Sequence, residues 1–356
     1  MHGSPVRARG LRKGATVFVL GLSVVACDGG GGITPPEEED PVATLTLDAS
    51  GGWALVELGE PARQVTAADP SASTAWDLGV FATSVMLNGG GAGPGGVVGY
   101  CVCQNAQAAN AEVRAMTPES ELADFRAVTA ASIPASESAW ESDALAPVVA
   151  GWYAYDPATH VVSAAPQRTW KLRLAETNGG FAKFRVIRLD GAAREHAGRV
   201  TFEYAVQPSK GAAMGPVRSA TLDLSGGRVR FDLARGEVAD ASDWDLLFEG
   251  YTIRVNGGVS GSGQAGAVPV DDAFADISDA SDLQASLYRG DAYGGVFAAK
   301  PWYRYNLTGT DHQVWPTFDV YLVKRGSQVF KVQLTGYYSP SGEPRRITLR
   351  YAKLAG

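Results

Sequence analysis

The sequence contains few of the side chains that bind metals or act as catalytic bases. It has four histidines and three cysteines among 356 residues. The H-E-x-x-H, G-x-S-x-G and P-loop motifs, which place catalytic or phosphate-binding groups in a defined local structure, are also missing. Because no segment joins a nucleophile to a base, we expect that the protein is not an enzyme.

Positive charge is scarce as well. The chain carries a formal net charge of −7. Its first 26 residues contain four basic and no acidic side chains, so their removal takes the net charge to −11. Nucleic acids are polyanions that proteins bind through lysine and arginine. The excess of negative charge therefore argues against a nucleic-acid partner.

Long apolar runs are absent, and the short run at the N-terminus is typical of a signal peptide. Four basic residues precede Ala15–Ala26, a stretch of 12 residues that is too short to span a bilayer as a stable helix. Small and aliphatic residues lie directly before Cys27. This is the pattern of a bacterial lipoprotein signal, in which the cysteine is acylated and becomes the first residue. An ordinary secretory peptide cleaved nearby is the alternative.

Residues 27–42 predict a flexible tether between this anchor and a folded region. The segment "DGGGGITPPEEEDP" contains glycine, proline and acidic residues that cannot bury apolar surface. The protein would then be anchored to a membrane through Cys27 without spanning it. Asp28 would favour the inner membrane under one proteobacterial sorting rule, but that rule is not general, and we expect the outer membrane or the cell surface.

The two remaining cysteines lie in the short sequence "YCVCQ". A Cys-x-Cys pair in an exported protein is compatible with a strained disulfide, with two free thiols or with half of a metal site. The chain has no second pair to complete a zinc site, which counts against the metal. The disulfide and the free thiols stay open for Cys101 and Cys103.

An internal repeat organises the rest of the chain. The stretch "AWDLGVFATSVMLNGG" returns as "DWDLLFEGYTIRVNGG", with the same Trp-Asp-Leu and the same Asn-Gly-Gly. Trp76 and Trp244 are 168 residues apart, and so are Asn88 and Asn256. Similar segments before and after these stretches extend the repeat over most of the mature sequence.

The spacing of apolar residues predicts an all-β fold. Val229, Phe231 and Leu233 alternate with polar neighbours, which places every second side chain on one buried face of a strand. Glycine and asparagine clusters interrupt such runs at short intervals, as in antiparallel sheets. One helix is predicted around Glu119–Val128, where apolar residues recur at three-residue steps.

We therefore expect two tandem antiparallel β domains. The predicted organisation is a lipoprotein signal peptide at residues 1–26, a tether at 27–42, a first β domain at 43–207, a linker at 208–218 and a second β domain at 219–356.

Histidine is scarce, so its positions are informative. After the leader there are only His160, His196 and His312, and two of these follow a W-Y-x-Y motif in equivalent places of the two copies. Neutral imidazole is a good axial ligand for haem iron, and flanking aromatic rings can cover a porphyrin. The alternative is that the rings pack a sheet edge while each histidine bonds a turn. The aromatic candidates are Trp152, Tyr153 and Tyr155 before His160, and Trp302, Tyr303 and Tyr305 before His312.

The order of these elements resembles the HmuY-like haem-binding lipoproteins. The resemblance is carried by the lipoprotein cysteine, the text from Trp244 to Gly258 with a glycine-rich loop after it, "WYRY" followed by His312, and "VYLVKRGSQVFKVQLTGYY". It covers the second copy almost entirely and the first more loosely. It implies an all-β fold, capture of haem outside the cytoplasm for iron acquisition, and delivery to a TonB-dependent outer-membrane transporter.

The sequence departs from this family in its iron ligands. Well-known members hold the iron with two axial side chains of one domain, from histidine pairs or methionine. Each copy here offers one histidine in the matching region. Met116 is a candidate for the second ligand, and the alternative is that the two copies face each other across one haem.

Two hypotheses of different classes follow. In the first, the protein carries haem or a porphyrin, with His160 and His312 as iron ligands. In the second, it is a non-enzymatic surface lipoprotein that binds a protein or glycan, with the duplicated β unit as a scaffold and glycine-rich loops as the contact surface.

Overall fold

The fold is all-β, as the alternation of apolar residues predicts. The structure is a computed structural model that describes residues 42–176, 179–194, 196–240 and 242–354. It has 41% strand and 9% helix, and its sheets are antiparallel. The predicted signal peptide, Cys27 and nearly all of the tether lie outside the described residues. Within them, no helix is both long and apolar enough to cross a membrane.

In the described part of the chain, each repeat contributes twelve strands. Those of the first repeat are β1 (Ala43–Asp48), β2 (Ala54–Glu57), β3 (Arg63–Val65), β4 (Leu78–Phe81), β5 (Ser84–Leu87), β6 (Val98–Cys101), β7 (Ala144–Ala146), β8 (Tyr153–Asp156), β9 (Val161–Ala164), β10 (Thr169–Arg173), β11 (Phe181–Asp190) and β12 (Arg199–Gln207). Those of the second repeat are β13 (Arg218–Asp223), β14 (Val229–Asp232), β15 (Glu237–Val238), β16 (Leu246–Glu249), β17 (Thr252–Val255), β18 (Gly266–Val270), β19 (Ala292–Gly294), β20 (Tyr303–Tyr305), β21 (Val314–Pro316), β22 (Tyr321–Arg325), β23 (Gln328–Tyr338) and β24 (Pro344–Leu354).

Short helices connect some of these strands. The α-helices of the described residues are α1 (Asn110–Ala115), α2 (Leu122–Ala127) and α3 (Val296–Ala299), and single turns of 3-10 helix lie at Pro70–Ala72, Ala130–Ser132, Glu137–Ala139 and Ala285–Leu287. The predicted helix around Glu119–Val128 is confirmed as α2. Phe125 and Val128 of this segment are buried against Val320 and Leu322, which explains their three-residue spacing.

Two five-stranded antiparallel sheets combine strands of both repeats. The order in sheet A is β1-β24-β23-β22-β6, and the order in sheet B is β13-β12-β11-β10-β18. The first and sixth strands of one repeat therefore flank the last three strands of the other. Leu47 lies opposite Ile347 in sheet A, and Leu222 lies opposite Val200 in the matching pair of sheet B.

The hydrophobic cores are mixed in the same way. Core A, which packs on sheet A, joins Leu47 and Leu87 of the first repeat to Val332 and Leu349 of the second, and all four are fully buried. Its side chains come from the two ends of the described chain.

Core B, which packs on sheet B, is rich in phenylalanine. Phe202 of the first repeat packs against Phe231 and Phe248 of the second, with ring centroids 5.1 and 5.2 Å apart. Such aromatic pairs add to the burial of apolar area that stabilises a core. Core B draws on one continuous stretch of chain, from the second half of the first repeat to the first half of the second.

This exchange differs from the arrangement expected of two tandem domains. Neither five-stranded sheet is built from residues 43–207 or 219–356 alone, and the chain from Val42 onward forms one compact unit. The predicted linker at 208–218 is a connection between β12 and β13, which pair with each other. Each repeat passes from one core to the other around β7 and β19, which also pair.

The Trp-Asp-Leu and Asn-Gly-Gly motifs form the same hydrogen-bonded corner twice. Asn88 Nδ2 donates to the carbonyl of Trp76 at 2.7 Å, and Asn88 Oδ1 accepts from the amide of Gly95 at 3.0 Å. Asn256 makes the same bonds to Trp244 and Gly263, at 2.8 and 3.0 Å. The repeated text therefore encodes a structural corner.

Candidate ligand site

The W-Y-x-Y motif of the first repeat leads into a β-hairpin that ends in a tyrosine and histidine pair. The hairpin consists of β8 and β9, and His160 occupies its turn with a φ of 56°. This left-handed conformation is uncommon for a residue other than glycine. The hydroxyl of Tyr155 lies 2.6 Å from Nδ1 of His160, so the turn and this bond together fix the imidazole ring.

The second repeat builds the same pair at the hairpin of β20 and β21. The hydroxyl of Tyr305 lies 3.3 Å from Nδ1 of His312, whose φ is 49°. Within each pair the tyrosine and histidine ring centroids are a similar distance apart, 6.1 Å in the first repeat and 6.3 Å in the second, with interplanar angles of 41° and 40°. Both histidines are exposed, so each imidazole is held by a tyrosine and accessible from solvent.

A groove of about 860 Å³ lies beside the first of these hairpins. Its walls come from the hairpin, from the loop after β11 and from the turn between β16 and β17. The lining residues are Tyr153, Tyr155, His160, Val161, Val162, Leu189, Gly191, Ala192, Ala193, Arg194 and Tyr251. The volume is within the usual range for small-molecule pockets, and the lining has the usual mixture of aromatic and apolar side chains with a few polar groups.

Two tyrosines in the lining of the groove, Tyr153 and Tyr251, pack against each other. The rings of Tyr153 and Tyr251 are 4.9 Å apart between centroids. The hydroxyl of Tyr251 donates to the carbonyl of Ala193 at 2.6 Å. This bond connects Tyr251 to the loop that carries Arg194. Two tyrosines, one histidine and one arginine therefore line the same space.

The two tryptophans of the W-Y-x-Y motifs do not line the groove at His160. Trp152 and Trp302 are each 1% exposed and belong to cores B and A. Trp302 Nε1 donates to the carbonyl of Thr83 at 2.9 Å, a bond that ties the hairpin base to the core. At this exposure the two rings pack within the cores, and neither is among the residues that line the groove at His160.

The tyrosines of the second hairpin and Met116 lie away from the groove. Tyr303 is half-buried against core A, and Tyr305 is 56% exposed. Met116 ends α1, a helix whose Arg114 lies 5.8 Å from the ring centre of Trp315 in β21. The groove at His160 does not include Met116 in its lining, so the structure gives it no role as a second ligand there.

The chemistry of the groove fits a single axial contact to haem iron. Tyr155 occupies Nδ1 of His160, which leaves Nε2 as the nitrogen that can face an iron atom. Ligating histidines in proteins characteristically bond a second group through their other ring nitrogen in this way. Among the described residues no group of three His, Cys, Asp or Glu side chains could hold a free metal ion, but haem iron needs only one or two axial ligands from the protein.

Sequence reasoning identified three of the eleven residues that line this groove, Tyr153, Tyr155 and His160. Tyr251 lies in the second repeat, and Arg194 lies in a loop with no motif. Tyr251 meets the hairpin because the repeats exchange their halves, and Arg194 meets it because β11, which precedes its loop, lies beside β9. Local spacing gives no signal of either contact.

The Cys101–Cys103 pair is a disulfide, with Cα atoms 5.0 Å apart, at the end of β6. Of the two alternatives that the sequence leaves open, a disulfide and two free thiols, the structure contains the disulfide. The pair does not belong to the groove.

Comparison with known proteins assigns no relationship to this chain. No protein-family description matches it, and no curated protein is significantly similar to it.

Proposed function

We propose that this protein is a lipid-anchored extracytoplasmic protein that binds haem or a related porphyrin in the groove beside His160. The observation that carries the proposal is the exposed imidazole fixed by Tyr155 at the mouth of a tyrosine-lined groove of about 860 Å³. A porphyrin is flat, apolar and acidic at its edge, and it carries iron at its centre. The groove offers a group for each of these properties.

Each lining residue has a distinct part in this binding. Nε2 of His160 would contact the iron, while Tyr155 holds the ring through Nδ1. The faces of Tyr153 and Tyr251 would pack on the macrocycle. Arg194 lines the same groove, and its planar guanidinium suits the carboxylates of a porphyrin edge.

The wider role follows from the resemblance to HmuY-like lipoproteins. Haem captured outside the cytoplasm would serve iron acquisition, and a TonB-dependent transporter would receive it. The predicted signal peptide, the anchor at Cys27 and the all-β fold support this role, and so does the net negative charge, which disfavours nucleic acid as a partner.

Titration with haemin tests the proposal directly. The mature chain should show a saturable Soret change, and iron-free protoporphyrin should bind more weakly because it lacks the contact to His160. If haemin produces no saturable change, the carrier proposal fails. The duplicated β scaffold would then serve contact with a protein or a glycan.

A further inference from the structure

A second cavity, of about 290 Å³, lies at the repeated Trp-Asp-Leu corner of core B. We call it the Asp245 cavity. Its lining residues are Leu174, Ala175, Glu176, Gly179, Gly180, Asp232, Ala234, Ser242, Asp243, Trp244, Asp245, Asn256, Ser262 and Gly263. None of them lines the groove at His160, so the two spaces are separate.

The equivalent corner of core A shows what this aspartate can hold. There Asp77 is 1% exposed, and its two carboxylate oxygens accept bonds from Nη1 of Arg325 at 3.0 and 2.9 Å. One of these oxygens also accepts the amide of Leu58 at 2.7 Å. A buried carboxylate is therefore neutralised by a guanidinium inside the protein, an arrangement that a buried charge requires.

The corner of core B keeps the aspartate but lacks the arginine. Asp245 accepts the amides of Leu233 and Ala175, at 3.0 and 2.7 Å, so the backbone contact made by Asp77 is preserved. Strand register identifies the residue that replaces Arg325. The pair of Tyr321 with Cys101 in sheet A is equivalent to the pair of Trp170 with Pro269 in sheet B. Arg325 is four residues after Tyr321, and Leu174 is four residues after Trp170. Leu174 therefore occupies the position of Arg325.

The surroundings of Asp245 are acidic. Asp232, Asp243 and Glu176 line the same cavity. Arg235 is the cation near them, at 3.4 Å from Asp232 and 3.5 Å from Asp243, and it is half exposed at the rim. Burial, together with the charges of Asp232 and Glu176, raises the pKa of the Asp245 carboxyl to about 6, against the bonds from the two backbone amides.

We infer that the Asp245 cavity binds a small organic cation with a guanidinium or amine head, which takes the place that the side chain of Arg325 occupies at Asp77. Three observations support the inference: a cavity of about 290 Å³ beside Asp245, an excess of carboxylates around it, and the equivalent aspartate, Asp77, binding a guanidinium in the other half of the molecule. The inference is independent of haem binding.

The test compares two probes of the same shape and different charge. Methylguanidinium should raise the melting temperature of the mature chain and give a saturable binding isotherm, because a ligand of the native state stabilises it. N-methylurea is planar and uncharged and should do neither, with sodium chloride as the control for ionic strength. Equal responses to both probes would overturn the inference.

Variants locate the binding. Leu174→Arg places a guanidinium where Arg325 lies in the other half, so it should abolish the response to methylguanidinium. Asp245→Asn should lower the affinity roughly tenfold or more, since a hydrogen bond to a charged group is lost. Glu60→Gln removes an exposed carboxylate near core A and should leave the response unchanged.

A second measurement uses the wild-type chain and therefore tests the inference even if a variant does not fold. In the wild-type chain, affinity for methylguanidinium should fall as the pH decreases below about 6, where Asp245 takes up a proton, with Asp232, Asp243, Glu176 and Arg235 as the charged groups around it. Binding that is unchanged between about pH 7.5 and 5, or full binding by Leu174→Arg, would contradict the assignment.

Discussion

Leu47 lies directly opposite Ile347 in the antiparallel pair of β1 and β24, so the first and last strands of the described chain are neighbours. Both side chains are fully buried in core A. Core A therefore needs both ends of the chain, whereas core B is built from one continuous segment.

This difference predicts which fragment folds alone. Residues 148–294 contain every strand of sheet B and the side chains of core B, and this fragment should give a β-rich circular dichroism spectrum and a cooperative melt. Residues 219–356, which the repeat suggests as a domain, lack β10, β11 and β12. That fragment should show no cooperative transition. Cooperative melting of 219–356 alone would contradict the exchange of halves.

The sequence shows the repeat but not the exchange. The matched spacing of Trp76 and Trp244 reveals the duplication, and alternation such as that of Phe231 and Leu233 reveals buried strand faces. Alternation specifies which face of a strand is buried and leaves its partner undefined. The strands β12 and β13 follow each other in the chain under either arrangement, so nothing local distinguishes tandem domains from exchanged ones.

The candidate site could be predicted in part for a similar reason. The Tyr155 and His160 pair lies within one hairpin, so its spacing is visible in the sequence. The sequence does not decide whether Trp152 is buried or contacts a ligand, because a tryptophan near a strand start is compatible with a core and with the wall of a binding site. Tyr251 and Arg194 come from other segments and needed the fold.

Asp143 should make stability depend on pH. This carboxyl is 3% exposed and accepts the amide of Leu87 at 2.9 Å. Burial and, to a smaller extent, the charge of Glu141 raise its pKa to about 7, against the bond from the Leu87 amide. Between about pH 4 and 7 the unfolded chain has lost this proton while the folded chain keeps it, so this group lowers the free energy of unfolding as the pH rises, and its contribution is constant above that window.

Asp143→Asn isolates this contribution. The amide oxygen can still accept the bond from Leu87, but the side chain no longer titrates. Relative to wild type, the variant should become more stable from about pH 4 to 7, by about 1.4 kcal/mol for each unit by which the pKa is displaced. Urea denaturation at several pH values measures the difference, with Glu60→Gln as an exposed control. A constant difference between Asp143→Asn and wild type would disprove the role.

Cys27 should determine membrane attachment. Lipidation requires its thiol, so Cys27→Ser should move the protein from the detergent phase to the aqueous phase of a two-phase extraction. Cys27 lies outside the residues that form the described sheets, so the variant should melt at the wild-type temperature. Unaltered partitioning into detergent would refute the lipoprotein prediction.

The tyrosine that holds His160 should control haem affinity without contacting iron. In Tyr155→Phe the bond to Nδ1 at 2.6 Å is lost while the aromatic face is kept, so the imidazole is less well oriented. Loss of such a supporting partner typically weakens metal affinity by about 10 to 100 fold. His160→Ala should remove the histidine-ligated spectrum altogether.

The second repeat supplies the matched control. Tyr305→Phe makes the same change at His312, where the corresponding distance is 3.3 Å. If haem binds in the groove at His160, Soret titration of Tyr305→Phe should match wild type. Equal losses in the two tyrosine variants would show that both hairpins bind haem or share one haem. Wild-type affinity and spectrum in both Tyr155→Phe and His160→Ala would remove this groove as the haem site.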